Sequence, residues 1–104
     1  TGEIPTEFLF ENEQLMAFND INPQAPVHFL IVPKKHIPHL SALAADDLGL
    51  LAAVQQVIVK LTQELGLAQK GFRVVVNSGE HGGQTVSHLH FHVLGGRALA
   101  WPPG

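Results

Sequence analysis

Three histidines occupy alternate positions in the run VSHLHFHVLGGR near the C-terminus. The apolar residues between them are typical of a β-strand, in which side chains at i, i+2 and i+4 line one face. The pattern therefore predicts that His88, His90 and His92 share one face of a strand and that Leu89 and Phe91 lie on the other. Alternate imidazoles stand about 6.6 to 6.8 Å apart along a strand, so neighbouring rings can converge on a metal or an anion.

The residues before the run favour one of these two ligands. Zinc sites built on histidine usually include a carboxylate, and neither Asp nor Glu lies beside the run. The preceding residues are GGQT, where glycine permits close backbone approach and Gln and Thr add side-chain donors, as a phosphate requires. An anion is therefore the favoured ligand, and zinc bound by the three histidines is the weaker alternative.

Histidine supports a particular chemistry at phosphorus. A neutral ring with one nitrogen held as N–H presents a lone pair on the other nitrogen and can act as a nucleophile. Flanking histidines can bind the nonbridging oxygens and protonate a poor leaving group such as an amine. The spacing therefore supports two-step nucleotidyl or phosphoryl transfer without a metal.

Apolar patterns elsewhere predict the elements that position these histidines. EFLFENEQLMAFND predicts a hairpin, VHFLIVP a central strand that carries His28, and GFRVVVNSG a further strand. Leucines and valines at three- and four-residue steps predict a helix from about Asp46 to Leu65, followed by Gly66. This order predicts an α+β domain, a mainly antiparallel sheet with one long helix packed on one face, which leaves the opposite face for the site.

Composition restricts the class of protein. The 104 residues, 45% hydrophobic and 14% charged, suit a single compact domain over 1–104. The absence of cysteine excludes disulfides, zinc fingers and thiol nucleophiles. A net charge of −3 and scattered Lys and Arg disfavour nucleic acid as a partner. No run approaches the roughly 20 apolar residues of a membrane span, and TGEIPTEF lacks signal-peptide features, so we expect a cytoplasmic protein with no membrane partner.

The run HLHFHVL matches the signature of the histidine triad (HIT) superfamily, and the chain resembles its Hint branch of purine nucleoside phosphoramidases. The likeness extends to FNDINPQAPVHFLIVPKKHI, to GFRVVVNSGEHGGQT and to WPPG. It implies a HIT-like fold, a homodimer, and no cofactor or metal. It also implies hydrolysis of P–N bonds in adenosine 5′-phosphoramidates, such as AMP-amine or AMP-lysine conjugates, through an adenylyl-histidine intermediate.

The resemblance implies catalytic roles for four histidines. His90 matches the nucleophile that becomes adenylylated, and His88 matches the residue that holds and polarises the site. His92 matches the ligand of the α-phosphate, and His28 matches a fourth histidine that supports the triad. The other three histidines, at positions 36, 39 and 81, are expected to be structural or solvated.

The resemblance also implies a purine nucleotide site. Asp20 matches the carboxylate that binds the ribose hydroxyls, with a turn residue as the alternative interpretation. Phe18 and Ile21 match the walls of the purine pocket, with core residues as the alternative. Asn77 matches an asparagine near ribose and phosphate, with a strand-end turn residue as the alternative. The phosphate loop corresponds to Gly83, Gln84 and Thr85.

Two other functions compete with the phosphoramidase. One is a nucleotide-binding regulatory module whose hydrolysis is incidental, and the other is a dinucleoside polyphosphate hydrolase, which the HVLGGR and WPPG segments disfavour. Ser87 departs from the resemblance, because the Hint branch often has tyrosine there. The chain also starts at TGEIP, whereas the family typically has an earlier segment that contributes to the base pocket.

Overall fold

The predicted hairpin is present at the start of the described residues. The computed structural model describes residues 7–104. Residues 1–6, which make up most of the segment TGEIPTEF, lie outside the described residues. Strand β1 (Phe10–Glu11) pairs antiparallel with β2 (Leu15–Asn19). The Asn12 Oδ1 atom accepts the N–H groups of Gln14 and Leu15 at 2.9 and 2.8 Å, so one side chain organises the turn.

Three more strands complete a five-stranded sheet. They are β3 (Val27–Pro33), β4 (Phe72–Val75) and β5 (Phe91–Gly95). All pairs are antiparallel and the order is β1-β2-β3-β5-β4, so VHFLIVP is the central strand and β4 lies at the edge. The predicted α+β architecture is confirmed.

The one α-helix within residues 7–104 begins two residues later than predicted. A 3₁₀ turn over Ala45–Asp47 precedes α1 (Leu48–Glu64). The Asp47 carboxylate accepts the N–H of Ala44 at 2.9 Å and binds Lys35 Nζ at 2.6 Å. The hydrogen bond from Lys35, and then that from Ala44, lowers the pKa of Asp47. Within residues 7–104 no helix combines the length and apolar character that crossing a membrane requires.

The helix covers one face of the sheet. Phe29 and Ile31 of β3 and Val93 of β5 are fully buried and pack in one core with Val54 and Leu61 of α1. Because side chains alternate along a strand, the even-numbered positions of β3 and β5 project from the opposite face. This is the face that the sequence leaves for the site.

The histidine run is only partly a strand, which corrects the sequence prediction. Strand β5 begins at Phe91, so His88 and His90 lie in the irregular segment before it. The ladder between β3 and β5 ends at the pair Ile31 and Phe91, and a continued ladder would bring Leu89 opposite a proline, Pro33, which has no N–H. The Leu89 N–H instead donates to the Ile37 carbonyl at 2.7 Å.

Candidate functional site

His90 stands at the centre of the site. Its Nδ1 atom lies 2.7 Å from the carbonyl oxygen of His88. A carbonyl can only accept a hydrogen bond, so Nδ1 carries the proton. In the neutral ring, Nε2 therefore keeps its lone pair, as a histidine nucleophile requires.

The neighbouring ring of His92 has the opposite tautomer, and a backbone amide fixes it through His28. The Gln24 N–H donates to His28 Nδ1 at 3.0 Å, so the neutral ring of His28 carries its proton on Nε2. That Nε2 atom lies 2.9 Å from His92 Nδ1 and donates to it. His92 therefore accepts at Nδ1 and carries its own proton on Nε2.

Burial favours the neutral form of His92. It lowers the pKa of His92, and the neighbouring His90 and His28 lower this pKa further, whereas Asp20 acts in the opposite direction. The ring centroids of His90 and His92 are 5.0 Å apart. A lone pair on one ring and an N–H on the next are thus available side by side.

His88 is bound on both of its ring nitrogens. Its Nε2 atom lies 2.7 Å from the Pro33 carbonyl and must donate to it. Its Nδ1 atom lies 3.2 Å from His36 Nδ1, so His88 accepts the proton of His36 there. The ring thus holds the segment whose carbonyl orients His90, and His36, expected to be structural or solvated, is its partner.

Asp20 takes part in the turn after β2 and also lies beside the histidines. Its Oδ1 atom accepts the Asn22 N–H at 2.8 Å, and Oδ2 lies 3.5 Å from His28 Nε2. Each carboxylate oxygen has two lone pairs, so the turn leaves capacity for further donors. The hydrogen bond of Asp20 in the turn therefore does not prevent the same side chain from accepting hydrogen bonds from a ligand.

The two predicted purine-pocket residues differ in exposure. Ile21 is 73% exposed, so it does not belong to the core. Phe18 is half-buried, and its ring makes an edge-to-face contact with Phe8 at 6.3 Å between centroids. Asn77 is half-buried and follows β4 by two residues.

The Gln84 side chain organises the glycine loop. Its Oε1 atom accepts the Gly79 N–H at 2.9 Å. Its Nε2 atom donates to the carbonyls of Pro38 at 2.6 Å and Val86 at 2.9 Å. Both ends of this amide are therefore used to shape the loop, whereas the sequence suggested a donor for phosphate.

The backbone of the loop is also partly used internally. The Gly83 N–H donates to the Glu80 carbonyl at 3.0 Å, and the Gln84 N–H donates to the Gly79 carbonyl at 3.1 Å. Gly83 has a φ of +80°, which side-chain-bearing residues rarely adopt. Thr85 is exposed, so its side chain is open to solvent.

The structure brings together residues that are far apart in sequence. His28, His92 and Asp20 lie within 4.8 Å of one another by their ligating atoms, and His90 stands beside them. Sequence reasoning missed Gln24 because it acts through its backbone N–H, which every residue except proline supplies. It also missed the pairing of His36 with His88, since neither spacing nor residue type indicates that contact.

Comparisons with known proteins identify the family of the chain. The HIT domain family model matches residues 1–99. An uncharacterised HIT-like protein of Synechocystis sp. is 47% identical over 98% of this chain and 89% of its own length. The crystal structure of a HIT family hydrolase from Legionella pneumophila is 50% identical, with a TM-score of 0.94 over 99% of this chain and 92% of that one. A zinc-bound histidine triad family protein from Mycobacterium smegmatis is 32% identical, with a TM-score of 0.73 over 92% of this chain and 69% of that one. Matched along nearly all of its length, and similar to a named hydrolase, the chain belongs to the HIT domain family.

Proposed function

We propose that this protein is a purine nucleoside phosphoramidase that hydrolyses adenosine 5′-phosphoramidates through a covalent adenylyl-His90 intermediate. The observation that carries the proposal is the pair of opposite tautomers. The His88 carbonyl leaves His90 with a lone pair on Nε2, and the Gln24–His28 series leaves His92 with a proton on Nε2. A nucleophile and a donor for the phosphate are thereby prepared on adjacent rings.

In the first step, His90 Nε2 attacks the α-phosphorus and the P–N bond breaks. The amine nitrogen takes up one proton from solvent and leaves as the free amine. His92 Nε2–H donates to a nonbridging oxygen, where negative charge concentrates in the transition state. The ring needs no additional proton to act as this donor, because the hydrogen bond from His28 Nε2 to His92 Nδ1 already places the proton of His92 on Nε2.

In the second step, water attacks the adenylyl-His90 phosphorus and the P–N bond to the ring breaks. Histidine is the leaving group, its Nε2 recovers the lone pair, and one proton returns to solvent. The proton taken up with the amine is thereby balanced, and the net reaction is hydrolysis to AMP and amine. The hydrogen bond from Nδ1 to the His88 carbonyl holds the ring in place through both steps.

The nucleoside would lie along the face beside these rings. Asp20 would accept the ribose hydroxyls, while Phe18 and Ile21 would cover the purine. The exposure of Ile21 supports this placement, because an exposed apolar side chain beside polar groups suits a ligand wall. Asn77 and Thr85 would complete the contacts to ribose and phosphate.

A metal centre is the competing use of the site, because one zinc-bound relative is known and Asp20, His28 and His92 form a ligand-like cluster. The donor set does not fit. His28 Nδ1 already accepts the Gln24 N–H, so its Nε2 carries a proton where a metal needs a lone pair. Metal binding would have to break that bond, and the reaction proposed here contains no metal step.

We also propose that the protein acts as a cytoplasmic homodimer. Strand β4 pairs only with β5 within residues 7–104, and its residues Phe72 and Val74 are 38% and 41% exposed. An unpaired apolar edge is suited to association with a second copy. Sedimentation equilibrium of the wild type and of Val74→Lys tests this proposal, because only the variant should become monomeric.

Mass spectrometry tests the reaction directly. The protein is mixed with an adenosine 5′-phosphoramidate, quenched in alkali and digested, and an adenylyl group is sought on His90. We expect the adduct in the wild type and in a control, His81→Ala, but not in His90→Ala. An adduct on another residue, or turnover with no adduct, would contradict the proposal. Faster turnover of a dinucleoside polyphosphate would instead favour the other hydrolase class.

A further inference from the structure

The Gln24 backbone, which fixes the tautomer of His28, is itself held by a charged side chain. Arg97 Nη2 donates to the Gln24 carbonyl at 2.9 Å, and the Gln24 N–H donates to His28 Nδ1 at 3.0 Å. Gln24 lies in the irregular segment between β2 and β3, where no strand partner holds it. Within the described residues, the hydrogen bond to the Gln24 carbonyl comes from a charged group, and such bonds are stronger than those between neutral groups.

The end of β5 is packed closely against the same segment. Gly96 has a φ of +92°, and a Cβ there would lie 2.9 Å from Pro26 Cβ. Only glycine allows the chain to leave β5 so close to Pro26, and Arg97 is the next residue. The glycine at position 96 therefore allows the Arg97 guanidinium to reach the Gln24 carbonyl.

The series of hydrogen bonds runs from Arg97 back to the strand that precedes it. Arg97 binds Gln24, Gln24 binds His28, and His28 binds His92 in β5. If Gln24 were not held, His28 could adopt the tautomer with its proton on Nδ1. Its Nε2 could then no longer donate to His92, and His92 would lose the bond that places its own proton on Nε2.

We propose that Arg97 is a positioning residue that sets the tautomers of His28 and His92 by anchoring the Gln24 backbone. The effect on turnover rests on the proposed function, whereas the effect on the tautomers does not. Arg97 also donates to the Ala98 carbonyl at 3.0 Å, which is a local contact within its own turn.

The chain offers two matched controls. Arg73 makes a similar exposed bond, Nη2 to the Ala100 carbonyl at 2.9 Å, but Ala100 lies in the tail and contacts no site histidine through it. Gln24→Ala removes a side chain whose hydrogen bond goes to the Asn22 carbonyl, and it keeps the N–H and the carbonyl that the proposal requires. Arg73→Ala and Gln24→Ala should therefore leave the tautomers unchanged.

The test is long-range ¹H–¹⁵N NMR of the histidine rings at pH 7.5, combined with steady-state kinetics. In the wild type, His28 and His92 should show a protonated Nε2. In Arg97→Ala both should become mixtures of tautomers, and Arg97→Lys, which keeps a cationic donor, should restore them at least partly. We expect kcat of Arg97→Ala to fall roughly fivefold to thirtyfold, as the loss of one or two kcal/mol would produce, with KM nearly unchanged.

Unchanged tautomers in Arg97→Ala, or the same change in Arg73→Ala, would overturn the proposal. If Arg97→Ala does not fold, Arg97→Lys and Gln24→Ala test the proposal in its place. Mixed tautomers in Gln24→Ala would show that the Gln24 side chain, and not its anchored backbone, sets the tautomers, and would also overturn the proposal. A wild type with the expected tautomers but no phosphoramidase activity would reject the proposed function and leave the positioning role intact.

Discussion

Two pairs of histidines flank His90, and they differ in where their series of hydrogen bonds ends. In the first pair, the series starts at a donor, the Gln24 N–H, and donation runs through His28 toward His92. In the second pair, donation runs from His36 through His88 and ends at an acceptor, the Pro33 carbonyl. The first series ends at His92 Nε2–H, which the proposed reaction uses as a donor, whereas the second ends at a carbonyl of the protein itself.

The two pairs also differ in their surroundings. His28 is 6% exposed and lies in the central strand, whereas His36 is exposed and follows that strand. A buried hydrogen bond competes less with water, so the first pair is expected to be the more rigid. The two pairs therefore serve different tasks in the proposed reaction: one prepares the donor to the phosphate, and the other holds the carbonyl that orients His90.

The largest effect is expected from the ring between the pairs. His90→Ala should reduce turnover by more than about 10³-fold, because the covalent intermediate can no longer form. AMP affinity and melting temperature should stay close to those of the wild type, since the ring is not part of the core cluster. Activity assays, titration calorimetry and thermal unfolding measure the three quantities. A variant that retained more activity than His92→Ala would show that His90 is not the nucleophile.

Breaking the buried pair should have the next largest effect. His92→Ala removes one transition-state donor, which typically costs on the order of 10²-fold in kcat. His28→Ala should reduce kcat less, because it removes only the group that orients that donor. Single-turnover kinetics, which isolate the adenylylation step, should show this order, and the reverse order would mean that His28 contacts the substrate itself.

Breaking the exposed pair should have a smaller effect. His36→Ala removes one hydrogen bond at the surface, so kcat should fall by less than about tenfold. His39→Ala is the matched control, because it removes another histidine from the same segment and leaves the contact with His88 intact. Steady-state kinetics of both variants should separate them, and a loss equal to that of His92→Ala would contradict the distinction between the pairs.

The smallest effect concerns stability and pH. The folded state lowers the pKa of His92 from its ordinary value of about 6.5, so the unfolded chain binds a proton first as pH falls. Above the pKa of the unfolded chain, His92 is neutral in both states and does not change the free energy of unfolding. As pH falls below that pKa, His92 lowers the free energy of unfolding, until the pH has passed the pKa of the folded state. Urea unfolding between pH 5 and pH 8 should show a steeper decline for the wild type than for His92→Gln.

The sequence predicted which side chains of the histidine run face the core better than it predicted the hydrogen bonds of the site. Leu89, Phe91 and Val93 are buried as the alternation indicates, because burial follows side-chain period even where the ladder has ended. The end of the ladder depended on which residue of β3 faces Leu89, and register between distant strands cannot be read from one strand's pattern.

Other features of the site were outside the reach of sequence for a different reason. The tautomers of His28 and His90 are set by backbone groups of Gln24 and His88, which carry no residue-specific signal. The resemblance identified the histidines as a set, but it assigned His88 to the site without its bonds to Pro33 and His36. Which nitrogen donates is decided by three-dimensional contacts alone.

The loop held by Gln84 has a consequence for which residues position 84 tolerates. Glutamate has nearly the same shape, yet it would lose both N–H donors and place a carboxylate against the carbonyls of Pro38 and Val86. Under the proposed function, it would also add a negative charge to the loop beside the phosphate of the substrate. A change of one NH₂ to an oxygen, by mutation or by deamidation, would therefore disconnect residues 79–86 from the segment after β3 and repel the ligand at the same time.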